Sequence, residues 1–293
     1  MTQDGSLEIA APAKVNLFLR VLEREPSGFH QIETVFQKLA LADTLTVRPT
    51  DGRSSLKLSW EGLAPLPLGP VERNLAWRAA AVFQRERDWP RGWDITLVKR
   101  IPAGAGLGGG SSDAAAVLRA LNALCPDPID DTTLRTLGAG LGSDVPFFLS
   151  DASCAIGRGR GERLTPIGGP PLEPATIALI TPGFPIATAE AYGALAAART
   201  AARFPAPRAR LTDSTLRSWR DFAAIHANDF EATVFQRYPE LEECRNRLER
   251  AGASIAMLTG TGSTVFGLWA PGETIDEALV PLPHGRLIMT VTA

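Results

Sequence analysis

The sequence predicts an α+β protein of two domains. Strand-like and helix-like stretches are mixed in both halves of the chain. The first sixty residues are β-rich: residues 14–20 alternate, so that Val15, Leu17 and Leu19 share one face and Lys14 and Asn16 the other, and residues 55–60 alternate as cleanly. A length of 293 residues leaves room for two domains. Gly157, Gly159 and Gly161 mark a loop near the expected junction, which divides the chain into domains of 1–165 and 166–293.

Taken in order, residues 7–9 alternate, Pro12 interrupts, and 14–20 alternate again, so two strands are expected there. Pro26, Ser27 and Gly28 punctuate a turn that Phe29 and His30 follow. Residues 34–41 and 44–47 read as further strands, and 65–70 as a loop. Leu75, Ala76, Ala79, Ala80 and Phe83 fall at helical spacing and predict a helix over 74–83. Residues 94–99 form a strand that feeds a glycine-rich turn. Ser111 or Ser112 can cap the next helix, whose buried stripe is Val117, Leu118, Leu121 and Leu124, and Pro126 with Pro128 ends it. A helix over 131–141 closes at Gly142, and Asp144 leads into the apolar run 145–149. In the second half, 177–180 is a buried strand, 188–199 an Ala-rich helix and 201–210 a mobile, Pro- and Arg-rich surface loop. Helices over 219–235 and 239–251 follow, with Pro239 in the first turn of the second and Gly252 past its end. Strands over 254–258 and 265–268 flank a tight loop at 259–263. A short helix over 273–280 and a strand over 287–291 complete the chain. His226, Asn228 and Asp229 read as structural residues and His284 as a surface one.

Bulk properties exclude several functions. With 30 Lys+Arg against 32 Asp+Glu, the net charge of −2 carries no footprint of a nucleic-acid or membrane-surface protein. No apolar run reaches the roughly 18 residues a membrane helix needs, and residues 1–8 lack the apolar core of a signal peptide. Cys125, Cys154 and Cys244 are scattered and outside metal spacing, which predicts reduced thiols in a cytoplasmic protein. The expected assembly is a monomer or weak homodimer. Among basic residues only Lys14, Lys38, Lys57 and Lys99 are Lys, a hint that a compact ammonium is wanted at some of these positions.

The stretch Pro102-Ala103-Gly104-Ala105-Gly106-Leu107-Gly108-Gly109-Gly110-Ser111-Ser112, between strand and helix, is where an anion would bind. Glycine lets backbone N–H groups converge on a ligand, and the helix N-terminus adds unpaired N–H groups and partial positive charge. A Walker P-loop is set aside because no Lys stands in the loop. The dinucleotide pattern GxGxxG is present at Gly104, Gly106 and Gly109. It competes poorly, because Gly108, Gly109 and Gly110 would fall in the first turns of its helix at up to about 1 kcal/mol each. The ribose-binding acid expected about 20 residues on would also fall in the 126–128 turn. A turn that binds nothing is the bland alternative.

The same stretch resembles the phosphate-binding motif of the GHMP small-molecule kinases. Pro12-Ala13-Lys14-Val15-Asn16-Leu17 and Leu258-Thr259-Gly260-Thr261-Gly262-Ser263 resemble the other two signatures of that superfamily. The resemblance implies an N-terminal ATP-binding domain of the ribosomal-protein-S5-like type, a C-terminal α/β sandwich and an active site in the cleft between them. It implies ATP over residues 102–112 and Mg²⁺ bridging the phosphates, with no protein ligand assigned to the ion; Asp113 is the nearest carboxylate and equally a helix N-terminal acid. It also implies Asp144 as the base for the acceptor hydroxyl, with Lys14 beside it; a helix or turn cap is the bland alternative for Asp144. Gly28-Phe29-His30 and Gly142-Ser143-Asp144-Val145-Pro146-Phe147-Phe148 narrow the resemblance to the branch whose alcohol is a methylerythritol carrying cytidine diphosphate. Phe29 and His30 would then receive the cytosine, Tyr192, four residues after Thr188, would form a second stacking wall, and Asn16 would reach the erythritol end. Phe29 stands where many members have Tyr. The alternatives are core packing for Phe29, a satisfied polar role for His30 and an amphipathic helix face for Tyr192. The adenine pocket is expected within residues 60–75.

Overall fold

A computed structural model describes residues 5–64, 69–168, 172–202, 211, 212, 214, 216–276 and 285–293. The chain is α+β, and it forms two compact units that are each discontinuous in sequence. One comprises Met1–Ala13, Leu41–Ala103 and Gly108–Asp151, the other Lys14–Ala40, Gly104–Leu107 and Ala152–Ala293.

Two long strands, β1 (Leu7–Arg24) and β2 (His30–Thr50), contribute to both units. Each replaces two expected strands. Pro12 lies within β1 and does not break it; β2 is the named strand that β1 pairs with. In β2, Asp43, between the two expected strands, is buried within one continuous strand.

In the first unit, β3 (Ser55–Trp60) pairs parallel with β4 (Gly92–Lys99), and β4 pairs antiparallel with the Thr44–Thr50 end of β2. Helix α1 (Leu75–Arg87) starts where Asn74 accepts the Ala76 N–H and buries Ala76, Ala79, Ala80 and Phe83, a stripe at i, i+3, i+4 and i+7. It packs on α2 (Gly109–Leu124). Helix α3 (Asp131–Leu141) is capped by Asp130 and ends at Gly142, and α4 (Val145–Leu149) is a short apolar helix with Pro146 in its first turn.

In the second unit, the Thr34–Gln37 part of β2 pairs with β5 (Cys154–Arg158), which turns through Gly159 and Gly161 into β6 (Arg163–Pro166). A separate antiparallel sheet has the order β10–β7–β9–β8, formed by β7 (Thr176–Thr181), β8 (Ile255–Leu258), β9 (Val265–Trp269) and β10 (Arg286–Val291). Helices α5 (Thr188–Ala202), α6 (Trp219–Ile225), α7 (Glu231–Arg237) and α8 (Pro239–Arg250) accompany it, and a core of Ile180, Phe230, Phe235, Leu248, Val265 and Trp269 lies under them.

The single helix expected over 219–235 is two. Asn228 breaks it: its carbonyl oxygen accepts the Phe230 N–H, and its amide donates to the carbonyls of Leu258 (2.8 Å) and Gly260 (2.9 Å). Residues 273–276 are not helical, and the rest of the helix expected over 273–280, with His284, lies outside the described residues. So do residues 203–210 of the expected surface loop and 65–68 of the expected adenine-pocket segment. Among the described residues the three cysteines are free thiols, and no helix is long and apolar enough to cross a membrane.

Candidate active site

Three stretches far apart in sequence meet around Lys14. This side chain, 4% exposed on β1, donates from Nζ to Asn16 Oδ1 at 2.7 Å. A lysine can only donate, so Asn16 must present its carbonyl oxygen there, which turns its amide nitrogen toward Thr34 Oγ1 (2.8 Å). Thr34 passes the chain on by donating to Phe18 O. From the other side, Thr259 Oγ1 accepts the Asn16 backbone N–H at 3.1 Å and shares its own proton between Asn16 Oδ1 (3.3 Å) and Gly106 O (3.4 Å). The Lys14 N–H in turn donates to Leu107 O at 3.0 Å. Gly106, at φ 81°, is pressed so closely on the 259–262 loop that a Cβ would stand 2.3 Å from Thr259 O. Gly260 completes the wall: a Cβ there would be 3.6 Å from Lys14 Nζ. The expected pairing of Lys14 and Asn16 on one strand face is thus realised. Most of the Asn16 amide is engaged inside the protein; its second amide hydrogen is what it has left to offer.

The glycine run adopts positive φ at alternate residues, Gly104 (68°), Gly106 (81°) and Gly108 (73°). Gly108 then serves as the N-cap of α2, which begins at Gly109. This overturns the expectation that Ser111 or Ser112 caps the helix. It also removes one argument against the dinucleotide pattern, since Gly109 and Gly110 do occupy the first turn. The reason is contact: a Cβ at Gly109 would stand 3.0 Å from Ile101 Cγ2. The second argument stands, because residues 126–128 form a turn after α2. Ser112 is 1% exposed, and among the described residues its Oγ has no hydrogen-bond partner. That orphaned donor, with the unpaired N–H groups of the first turn of α2, fits a bound phosphate. Among the described residues no group of three or more His, Cys, Asp or Glu could hold a metal ion.

A second cluster gathers the aromatic residues. The rings of His30 and Tyr192 stack with centroids 4.8 Å apart, and Tyr192 meets the core ring Phe230 edge-on. Burial, then the positive charges of Arg24 and Arg199, hold the His30 imidazole below its ordinary pKa and so neutral near pH 7. Phe29 is 57% exposed and is no core residue. The Arg160 guanidinium lies 3.9 Å from its ring centroid, braced by Glu25 at 2.7 Å. Thr188, at the start of α5, stands 3.5 Å from Thr261 through the two hydroxyls. Asp144 immediately precedes α4, is half-buried, and does not cap that helix with its side chain.

The structural reading of Asn228 holds, and Thr259 lies in the loop singled out from the sequence; sequence reasoning missed their contacts, Thr34, and a buried ion cluster of Lys99, Asp43 and Asp113. One signal was available: two of the four lysines, Lys14 and Lys99, are the buried ones.

Comparison with known proteins bears on both units. The model described as "GHMP kinases N terminal domain" matches residues 74–151, and "GHMP kinases C terminal" matches residues 211–283. The 4-diphosphocytidyl-2-C-methyl-D-erythritol kinase of Moorella thermoacetica is 42% identical over 271 residues, 92% of each chain. That of Geobacter metallireducens is 39% identical over 92% of this chain and 91% of its own. A crystal structure of 4-(cytidine 5'-diphospho)-2C-methyl-D-erythritol kinase superposes with a TM-score of 0.76 at 35% identity, covering 98% of this chain and 99% of the other.

Proposed function

The chain belongs to the 4-diphosphocytidyl-2-C-methyl-D-erythritol kinases of the GHMP kinase family, and from that premise we propose that it transfers the γ-phosphoryl group of ATP to the 2-hydroxyl of 4-diphosphocytidyl-2-C-methyl-D-erythritol, a step of non-mevalonate isoprenoid synthesis. The observation that carries the reading to this chain's own residues is the meeting of the three signature stretches at Lys14, Gly106 and Thr259.

Phosphoryl transfer to an alcohol is chiefly positioning and charge stabilisation. Asp144 accepts the proton of the 2-hydroxyl as its oxygen bonds to phosphorus, and ADP leaves with the electrons of the broken bond. The Lys14 ammonium, aimed by Asn16, favours the developing negative charge on that oxygen. Residues 102–112 hold the triphosphate through backbone N–H groups, with the Ser111 and Ser112 hydroxyls as further donors. No side chain is assigned to Mg²⁺; bound with ATP, the ion would supply neutralising charge to the triphosphate held by residues 102–112. Phe29 offers a stacking face to the cytosine, with Arg160 behind it. His30, neutral, can serve the base edge, and Tyr192 with Thr188 forms the opposite wall. The absence of a Tyr hydroxyl at Phe29 leaves stacking as that residue's contribution. The three unpaired thiols suit a reducing cytoplasm.

The test is a substrate panel. With Mg²⁺ and ATP, the purified protein should release ADP when the cytidyl-diphospho-methylerythritol is supplied and not with homoserine, mevalonate or sugars. Turnover on one of those instead would overturn the specific reading.

A further inference from the structure

Lys99, the last residue of β4, is 4% exposed and lies between two carboxylates. One is Asp43 of β2, and the other, at 2.7 Å, is Asp113 in the second turn of α2. The second oxygen of Asp43 accepts the backbone N–H groups of Arg100 (2.5 Å) and Ile101 (2.8 Å), the two residues that leave the strand. Gly109 lies close to the same cation: a Cβ there would stand 3.4 Å from Lys99 Nζ. Chain entering the glycine run is therefore fastened through Lys99 and Asp43, and chain leaving it through Asp113. Asp113 Oδ1 is buried and without a hydrogen-bond partner among the described residues. A stability role alone explains this poorly, since buried ion clusters often contribute no more than apolar side chains of the same volume. What such a cluster supplies is a fixed geometry.

We propose that Lys99, with Asp43 and Asp113, is a positioning residue for the nucleotide: it sets the separation between the end of β4 and the first turn of α2, and so presets residues 102–108 for a triphosphate. The inference rests on the ATP-binding reading above. A loop already held in its binding conformation loses less freedom when the ligand arrives. The cluster reaches the substrate only through the loop, so its removal should weaken nucleotide binding and leave alcohol recognition alone.

The informative variant is Asp113→Leu, which cuts the tie to α2 and leaves Lys99 and Asp43 as a balanced pair. Calorimetric titration with Mg²⁺ and a non-hydrolysable ATP analogue, without alcohol substrate, reads the effect. Affinity should fall on the order of tenfold, the ATP KM should rise in step, and the KM for the alcohol should stay put. Asp113→Asn, which keeps an acceptor for Lys99, should regain most of the affinity. If Asp113→Leu does not fold, Asp43→Asn is read in the same way. Wild-type nucleotide affinity in a folded Asp113→Leu or Asp43→Asn variant, whatever its melting temperature, overturns the proposal. Wild-type protein that binds no nucleotide overturns the kinase reading itself.

Discussion

Lys14 and Lys99 are buried to the same 4% exposure, and each sits on a strand beside one half of the glycine run, but they meet different chemistry. Lys99 stands between two carboxylates. Burial pulls its ammonium toward neutrality, and Asp113 and Asp43 more than offset this, so its pKa lies above the ordinary value. Lys14 is oriented by the neutral amide of Asn16, inside a relay of Thr34, Thr259 and backbone carbonyls. A carboxylate that accepts from an ammonium opposes its charge, whereas the amide oxygen of Asn16 orients the Lys14 ammonium without adding a charge of its own. In the roles proposed above, one side-chain type serves as a strut at Lys99 and as an electrostatic tool at Lys14.

That contrast can be broken by experiment. The largest effect is expected from Lys14→Met and Asp144→Asn, each lowering kcat by about 10²–10⁴-fold while nucleotide still binds. Unchanged turnover in either variant would remove that residue from its role, and a Lys14→Met variant that lost nucleotide affinity with kcat intact would make the two lysines equivalent. Gly106→Ala comes next. The new methyl would collide with Thr259 O at the 2.3 Å contact, in a left-handed backbone that costs roughly 1–2 kcal/mol for a non-glycine residue. We expect both a lower melting temperature and a higher ATP KM, and wild-type values for both would mean that the loop is slack. Thr259→Val is milder. It strands the buried Asn16 N–H at about 1–3 kcal/mol and loosens the aim of Lys14. Turnover should fall several-fold and Thr259→Ser should restore it; equal rates in all three proteins would disconnect the relay from catalysis.

The smallest effect is a slope with pH. Burial, then the nearby negative charge of Asp43, against the pull of Lys99, pushes the Asp113 carboxyl from 3.8 up to about 7. The folded protein keeps this proton where the unfolded chain has released it. Its contribution to stability is therefore complete below about pH 4 and is lost as pH rises through about 7. Asp113→Asn should flatten that part of the melting-temperature profile, gaining on the wild type as pH increases. Parallel profiles between pH 4 and 8 would show that Asp113 is ionised throughout.

What could be read in advance follows the range of the interactions involved. The glycine run, the strand that carries Lys14 and Asn16, and the 259–263 loop are local patterns, legible because phosphate binding and backbone turns demand particular residues at short spacing. Lys99 was legible only as a rare lysine, because its partners lie 56 and 14 residues away and nothing local pairs them. Helix breaking at Asn228 depends on carbonyls 30 and 32 residues further on. The start of α2 was misjudged for a related reason. Helix propensity disfavours Gly109, and the close approach of Ile101 that requires it is a tertiary contact.

The hydrogen bond from the Asn16 backbone to Thr259 Oγ1 spans 243 residues of sequence. A chain emerging from the ribosome presents Asn16 before the 243 residues that separate it from Thr259 have been completed. The first half of the protein can acquire its strands and its glycine run long before the hydroxyl that steadies Asn16 has been synthesised. A nascent or prematurely terminated chain therefore carries Lys14 and Asn16 without the Thr259 hydroxyl that braces the pair. The bond between Asn16 and Thr259 forms only after the segment carrying Thr259 has been made and closes on the strand that carries Lys14.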